Sequence, residues 1–229
     1  DVIFALTNRN YICLLIGVFF ITLVVGMRAG FNLYSNTFFW GLSSAELRWL
    51  PLTALVGFGV GFLMTARLHG RFDKRRAMLW SAVALGIFPA IPLTLGLLGW
   101  APSRESGWLL AMLMLCAALA SASGSVLAIS ALSALADIAD ENELKHGLRQ
   151  EGVLYSTRAV FSKIDAAIGT LLVGVTLDLA GMPERAVPGQ VPEEALRLVI
   201  LIDGPVLVIP AILAALAYGR YGIDRRAFD

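Results

Sequence analysis

Three charged side chains, Arg158, Lys163 and Asp165, lie within one apolar stretch of the chain, residues 153–180. A charge inside a bilayer is unfavourable, so such residues usually face a cavity or a partner and mark the path of an ion or a solute. Arginine adds a planar, permanently charged fork that suits carboxylate, sulfonate or phosphate groups. The pattern therefore predicts a functional site, and the alternative is that Lys163 and Asp165 only pair to hold helices together.

The composition predicts a membrane protein. Hydrophobic residues make up 58% of the 229 residues, the mean hydropathy is +0.75, and only 15% of the residues are charged, whereas soluble domains carry about 25%. The net charge of +1 gives no reason to expect a nucleic-acid partner. Cys13 and Cys116 both lie in apolar runs, which predicts small core residues rather than a disulfide or a metal site.

Six apolar segments are long enough to cross a bilayer, which takes about 20 residues of helix. Trp40, Trp49, Trp100 and Trp108 lie at segment ends, where membrane proteins concentrate aromatic residues. We therefore expect an all-α membrane protein with six transmembrane helices. The predicted spans are 11–40, 49–68, 77–100, 108–136, 153–180 and 195–218.

The basic residues predict the orientation, because loops on the cytoplasmic side of a membrane are enriched in Lys and Arg. One set of loops and ends contains Arg9, Arg67, Arg71, Lys74, Arg75, Arg76, Lys145, Arg149, Arg220, Arg225 and Arg226, and the opposite set contains Arg48, Arg104, Arg185 and Arg197. The larger set is expected to be cytoplasmic, which places both ends of the chain on that side.

The fifth span is polar on two faces. At about 100° per residue, Arg158, Ser162 and Asp165 share one face, while Lys163 shares another with Ser156. A helix that is polar on two faces cannot present both to lipid, so it must line a cavity or contact several neighbours.

A polar stripe also runs along the first span, where Arg28, Asn32 and Ser35 recur at helical spacing. Such a stripe is compatible with packing or with the wall of a cavity, and the arginine favours the cavity. In the second span, Gly57, Gly59 and Gly61 lie in an apolar helix, which predicts a packing seam rather than a phosphate loop.

Motifs of catalysis do not occur in the sequence. HExxH, GxSxG, GxxxxGK[ST] and CxxC are all missing, and His69 and His146 are far apart. The sequence therefore predicts neither an enzyme nor a metal centre.

Residues 136–151, ADIADENELKHGLRQE, followed by Tyr155, Ser156 and Lys163, resemble the cytoplasmic loop and eleventh helix of the melibiose-permease group. These proteins are the glycoside–pentoside–hexuronide:cation symporters of the major facilitator superfamily. The basic turn at residues 70–76, GRFDKRR, resembles the superfamily's loop between helices eight and nine.

The resemblance implies that residues 1–229 form one domain, the C-terminal six-helix bundle of a twelve-helix transporter whose N-terminal half precedes it. It implies symport of a sugar, glycoside or uronide by alternating access. The partners would be the solute, a coupling Na⁺ or H⁺, the lipid bilayer and the N-terminal half, with no other cofactor and no nucleic acid. The membrane would be the plasma membrane, the inner membrane in a bacterium.

The resemblance also implies roles for particular residues. Lys163, with Tyr155 nearby, would reach toward a cation site built mainly by the first half. A network of cytoplasmic charges would close the inner gate by forming ion pairs in one state and breaking them in the other. Its members would be Asp137, Asp140, Glu143 and Arg149.

Arg158 and Asp165 depart from the resemblance. At the matching positions, melibiose permease has a glutamine and a small residue. The arginine favours an anionic solute such as a uronide, unless Asp165 or a carboxylate of the first half neutralises it. Three alternatives stay open: a half-length protein that dimerises, a carrier of lysolipids or other organic solutes with the same fold, and a membrane scaffold that transports nothing.

Overall fold

A computed structural model describes residues 8–147, 151–183 and 185–222 of the chain. Within these residues, six helices are long and apolar enough to cross a membrane, and we number them α1 to α6. Their bounds are Arg9–Phe39 for α1, Ser44–Arg71 for α2, Lys74–Leu97 for α3, Trp108–Leu144 for α4, Glu151–Leu179 for α5 and Glu193–Tyr218 for α6. The predicted all-α fold with six spans is therefore confirmed.

Two of the helices contain a wider, π-helical turn. In α1 the α-helix Arg9–Leu33 continues as a π-helix over Tyr34–Phe39. In α6 a π-helix over Ile202–Val206 separates the α-helices Glu193–Leu201 and Val208–Tyr218. Such turns change the direction of the side chains that follow them and are frequent at functional sites.

α4 is longer than the sequence predicts. Its helix runs from Trp108 to His146, whereas the predicted span ends at residue 136 and gives way to a polar loop. The helix persists because Ile138, Ala139 and Asn142 recur at helical spacing on one buried face. Packing against the bundle thus continues where the contact with lipid is expected to end.

The helices pack in the spatial order α2, α4, α3, α6, α1, α5. α4 lies along both α2 and α3, α6 lies along α3 and α1, and α1 lies along α5. Smaller contacts join α4 to α1 and to α5. In this bundle α2 and α5 form the two edges, and both retain an exposed apolar face.

Glycine allows α2 to lie directly against α4. A Cβ atom at Gly57 would overlap the carbonyl oxygen of Ala118, and one at Gly61 would overlap that of Ala122. Gly59 points away, with no atom near the position of its missing Cβ. The predicted seam is confirmed for Gly57 and Gly61, and the two helices approach through small residues as membrane helices often do.

Two apolar clusters close the bundle at its ends. The first contains Tyr11, Leu14, Met78, Leu135 and Tyr218 and lies at the end where α1 begins. We call this the basic end, because Arg67, Arg71, Lys74, Arg75 and Arg76 surround the turn between α2 and α3 there. The second contains Trp40, Leu42, Leu93, Leu109 and Ile200 and lies at the opposite end. The space between the two clusters is partly empty.

Candidate functional site

A cavity of about 830 Å³ lies between the two apolar clusters. Its volume falls within the range of about 300–1,000 Å³ that is typical of small-molecule sites. Helices α1 to α4 supply most of the wall, α5 supplies Arg158, and α6 supplies Asp203 and Tyr218. Most lining residues are apolar; the polar ones are Thr22, Arg28, Asn32, Ser35, Asn36, Thr37, Ser121, Arg158, Asp203 and Tyr218.

The polar stripe of α1 faces this cavity. Arg28, Asn32 and Ser35 all line it, as their shared helical face predicts. The Nη2 atom of Arg28 donates a hydrogen bond of 2.8 Å to the carbonyl oxygen of Gly86 in α3. The Nε atom of Arg28 is buried and has no hydrogen-bond partner among the described residues, so part of the guanidinium is available to a ligand.

Asp203 is a cavity residue that the sequence interpretation missed. It lies in the π-helical turn of α6, is only 4% exposed, and accepts a hydrogen bond of 2.6 Å from the Ser35 hydroxyl. Its Oδ1 atom is buried without a hydrogen-bond partner in the described part of the chain, and its charge attracts that of Arg28. An isolated acid in an apolar span is a signal that could have identified it.

Two charged residues of α5, Arg158 and Asp165, are separated by the fold. Arg158 is half-buried and lines the cavity with a buried Nε atom that has no hydrogen-bond partner among the described residues. Asp165 is fully buried outside the lining, and neither of its carboxylate oxygens accepts a hydrogen bond from a described residue. Asp165 therefore does not neutralise Arg158 through a hydrogen bond.

Lys163 and Tyr155 lie on the other side of α5. Both are exposed, together with Ser156, Val160 and Ile164, and neither lines the cavity. Because α5 is an edge helix, no described helix covers this face. The structure thus places Arg28, Asn32 and Arg158 together and leaves Lys163, Tyr155 and Asp165 apart from them.

The described residues of the predicted gate network lie near the basic end. Asp137 accepts two hydrogen bonds, of 2.7 and 2.8 Å, from the Lys74 ammonium at the start of α3. Asp140 and Glu143 are exposed on the final turns of α4, and each has a further polar or electrostatic interaction. Arg149 lies outside the described residues.

Hydrogen bonds tie the helix ends together at the basic end. Asn8 caps α1 and donates to the side chains of Glu141 and Asn142 in α4. Tyr221 follows α6 and donates to the carbonyl oxygen of Ala134. Burial raises the pKa of the Tyr221 phenol, and the neighbouring Asp137 and Glu141 carboxylates raise it further. Tyr221 is therefore a neutral donor that holds α6 to α4.

Acidic, histidine and cysteine side chains do not form a metal site in the part of the chain that the structure describes. Cys13 and Cys116 are both free and buried, as their apolar surroundings predict. The chemical groups of the cavity are thus two guanidiniums, one carboxylate, hydroxyls and amides. Such groups bind a polar solute through hydrogen bonds and charge.

Comparison with known proteins gives one family and two relatives. A family model described as MFS/sugar transport protein matches residues 4–225. An uncharacterized 29.9 kDa protein in the crtE 3' region of Pseudescherichia vulneris is 25% identical over 194 residues, which are 85% of this chain and 65% of that protein. An uncharacterized symporter of Synechocystis sp. is 31% identical over 117 residues, 49% of this chain and 21% of the symporter. The chain covers less than two thirds of either curated relative.

Proposed function

We propose, because the chain belongs to the MFS/sugar transport protein family, that it forms the C-terminal half of a cation-coupled symporter for a sugar-like solute. The family consists of membrane transporters rather than enzymes, and the six long apolar helices of the chain agree with a multi-pass membrane protein. The proposal adds Na⁺ or H⁺ as the coupling ion, a sugar, glycoside or uronide as the solute, and a first half of six further helices. The basic end would face the cytoplasm, in a plasma or bacterial inner membrane.

The cavity supports the proposed chemical class of the solute. It has the volume of a small-molecule site, and Arg28 and Arg158 each present a buried Nε atom that has no hydrogen-bond partner among the described residues. A buried donor without a partner is unfavourable, and a carboxylate is its best acceptor. These two guanidiniums favour a uronide over a neutral sugar, with Asn32 and Asn36 as further partners for hydroxyl groups.

Alternating access would convert binding into transport. The two halves would rock around the cavity, so that the site opens first to one side of the membrane and then to the other. Coupling requires that solute and cation bind the two states with different affinities. No covalent step is needed.

Lys163 would take part in this coupling from the interface between the halves. It is exposed on a face of α5 that no described residue covers, and its ammonium is a compact charge that can compete with a cation. The cation site itself would then be shared with acidic residues of the first half.

The inner gate would form at the basic end. Lys74 and Asp137 already form an ion pair there between α3 and α4. In the proposed cycle, Asp140, Glu143 and Arg149 form ion pairs with the first half while the cytoplasmic side is closed. These ion pairs break when the two halves separate.

An amphiphilic solute such as a lysolipid is the second candidate. The lining is mainly aliphatic and aromatic, with residues such as Leu33, Leu50 and Phe58, and such a wall suits an acyl chain. The two guanidiniums would then hold an anionic headgroup.

Counterflow in proteoliposomes tests the proposal for the solute. Vesicles that contain the natural gene product are loaded with a solute and exchanged against the same labelled compound, using D-glucuronate, methyl β-D-glucoside or a lysophospholipid. We expect exchange of D-glucuronate, and Arg158→Gln should reduce it about 10- to 100-fold, because a hydrogen bond to a charged group contributes about 1.5–3 kcal/mol.

Arg197→Gln is the matched control, since Arg197 is exposed at the start of α6 and outside the cavity. Exchange of the lysophospholipid alone would favour the second candidate. Exchange of none of the three compounds would contradict the proposal.

A further inference from the structure

We propose that Asp203 takes up a proton when an anionic solute binds Arg28, so that solute binding to this half of the transporter is linked to one proton. The inference rests on the proposed function, because it requires an anionic solute in the cavity. It assigns a role to a carboxylate that neither the sequence pattern nor the family resemblance identified.

The π-helical turns of α1 and α6 create the site. Ser35 lies in one turn and Asp203 in the other, and the hydroxyl of Ser35 donates to Oδ2 of Asp203 over 2.6 Å. Oδ1 of Asp203 is buried and has no hydrogen-bond partner among the described residues. Asp203 is only 4% exposed, and at the wall of the cavity its carboxylate therefore has one oxygen that no described residue hydrogen-bonds.

Arg28 is the cation that compensates Asp203. The two charges attract each other across the wall of the cavity, yet they form no ion pair at hydrogen-bond distance, since Oδ1 has no partner and Oδ2 bonds Ser35. One terminal nitrogen of Arg28 is engaged by the Gly86 carbonyl. The guanidinium is thus close enough to stabilise the carboxylate and still has donors to offer a solute.

The other groups around Asp203 leave Arg28 as its main counter-charge. From α1, Tyr34 packs against an apolar cluster that contains Val199 and Leu207, as does Ile202, the neighbour of Asp203. From α3, Leu93 and Thr94, neither of which titrates, lie next to the position that a Cβ atom of Gly204, the residue after Asp203, would take. From α5 the charged group that faces the cavity is Arg158, and α4 contributes Cys116 and Ser121 to the lining.

Binding of a solute carboxylate changes this balance. When a solute carboxylate accepts hydrogen bonds from the free donors of Arg28, the guanidinium compensates two negative charges instead of one. The buried carboxylate of Asp203 is then less well compensated, and a buried charge without compensation is strongly unfavourable. Asp203 then accepts a proton from water in the cavity and becomes a neutral carboxylic acid. One negative charge enters with the solute and one positive charge enters with the proton, so the net charge of the site is unchanged.

The coupling is reciprocal, as thermodynamic linkage requires. Protonation of Asp203 releases Arg28 from its internal partner and raises the affinity for an anion. The affinity for D-glucuronate should therefore increase as the pH falls, by up to about tenfold per pH unit for a single linked proton.

Proton uptake on binding is the direct test. D-glucuronate is added to the purified natural gene product in weakly buffered detergent, and an indicator dye measures the protons that are taken up while calorimetry measures binding. We expect about one proton per bound solute in the natural protein. In Asp203→Asn, D-glucuronate should bind with no proton uptake and with an affinity that no longer depends on pH.

Asp178→Asn is the control, because Asp178 is exposed near the end of α5 and outside the cavity; it should keep both properties of the natural protein. Binding of D-glucuronate by the natural protein without proton uptake would overturn the inference and leave the proposed function intact, and this result does not depend on any variant folding. Proton uptake that persists in Asp203→Asn would also overturn it. No binding of D-glucuronate at any pH would overturn the inference together with the proposed anionic solute.

Discussion

Among the described residues, three groups of charged side chains lie in separate places of the bundle, and each group suggests a different role. Arg28, Arg158 and Asp203 line the cavity, where they would contact the solute. Lys163 lies on the uncovered face of α5, where it would contact the first half. The ion pair of Lys74 with Asp137 lies at the basic end, where a gate would close. Solute binding and proton uptake would thus use residues of the cavity, while the contact with the first half and the gate would use residues elsewhere in the bundle.

Lys163→Ala should separate exchange from accumulation. We expect the variant to reach the membrane in normal amounts, because the exposed Lys163 contributes little packing, and to keep counterflow of D-glucuronate. Accumulation driven by a cation gradient should be lost, because the ammonium takes part in coupling. Uptake into energised vesicles, compared with counterflow in the same preparation, measures the difference.

Thr170→Ala is the matched control for this change. Thr170 is exposed on the same side of α5, and its hydroxyl bonds the carbonyl oxygen of Ala166 within the helix. Normal accumulation in Lys163→Ala would remove Lys163 from the coupling mechanism.

Sequence patterns identify the charged residues in apolar spans, but they do not predict which of these residues are in contact in the fold. Arg28, Arg158 and Lys163 stand out because they are charges in apolar spans, and the same rule applies to Asp203. The pairing of Asp203 with Ser35 depends on two π-helical turns. A regular helix of 3.6 residues per turn does not describe the direction of side chains there, so no periodicity argument predicts this contact.

The helices show what hydropathy measures and what it does not. The predicted spans agree with the observed helices to within a few residues at most ends, because an apolar run ends where the lipid ends. The end of α4 is the exception. Residues 137–146 are mostly polar, yet they continue the helix because Ile138 and Asn142 pack into the bundle. Hydropathy detects contact with lipid, whereas the end of a helix also depends on packing against other helices.

Gly57→Ala and Gly61→Ala should both destabilise the contact between α2 and α4. The new methyl group would overlap the backbone of Ala118 or Ala122, and a helix backbone moves less easily than a side chain. We expect a loss of about 1–3 kcal/mol in the free energy of unfolding, visible as a lower Tm in detergent.

Gly59→Ala provides the control within the same helix. Its Cβ would meet no other atom, so stability should stay the same or rise slightly, since alanine favours a helix over glycine by up to about 1 kcal/mol. Equal losses of stability in all three variants would show that glycine serves the flexibility of α2 rather than the close contact.

The bundle as a whole has two edges that its own helices leave open. α2 exposes Leu55 and Leu63, and α5 exposes Leu171 beside the face of Lys163. Lipid would cover apolar side chains but not the ammonium of Lys163. An exposed lysine on an edge helix therefore supports the proposed first half.

Cation-driven accumulation distinguishes a symporter from a passive carrier, and it is measured as uptake of labelled D-glucuronate into proteoliposomes that contain the natural gene product. An inward gradient of H⁺ or of Na⁺ is imposed in separate experiments, and an ionophore that collapses the gradient serves as the control. The proposed symport predicts that one gradient drives the solute above its external concentration and that the ionophore abolishes this excess. Uptake that stops at equal concentrations under both gradients would contradict it and would describe a facilitator without coupling.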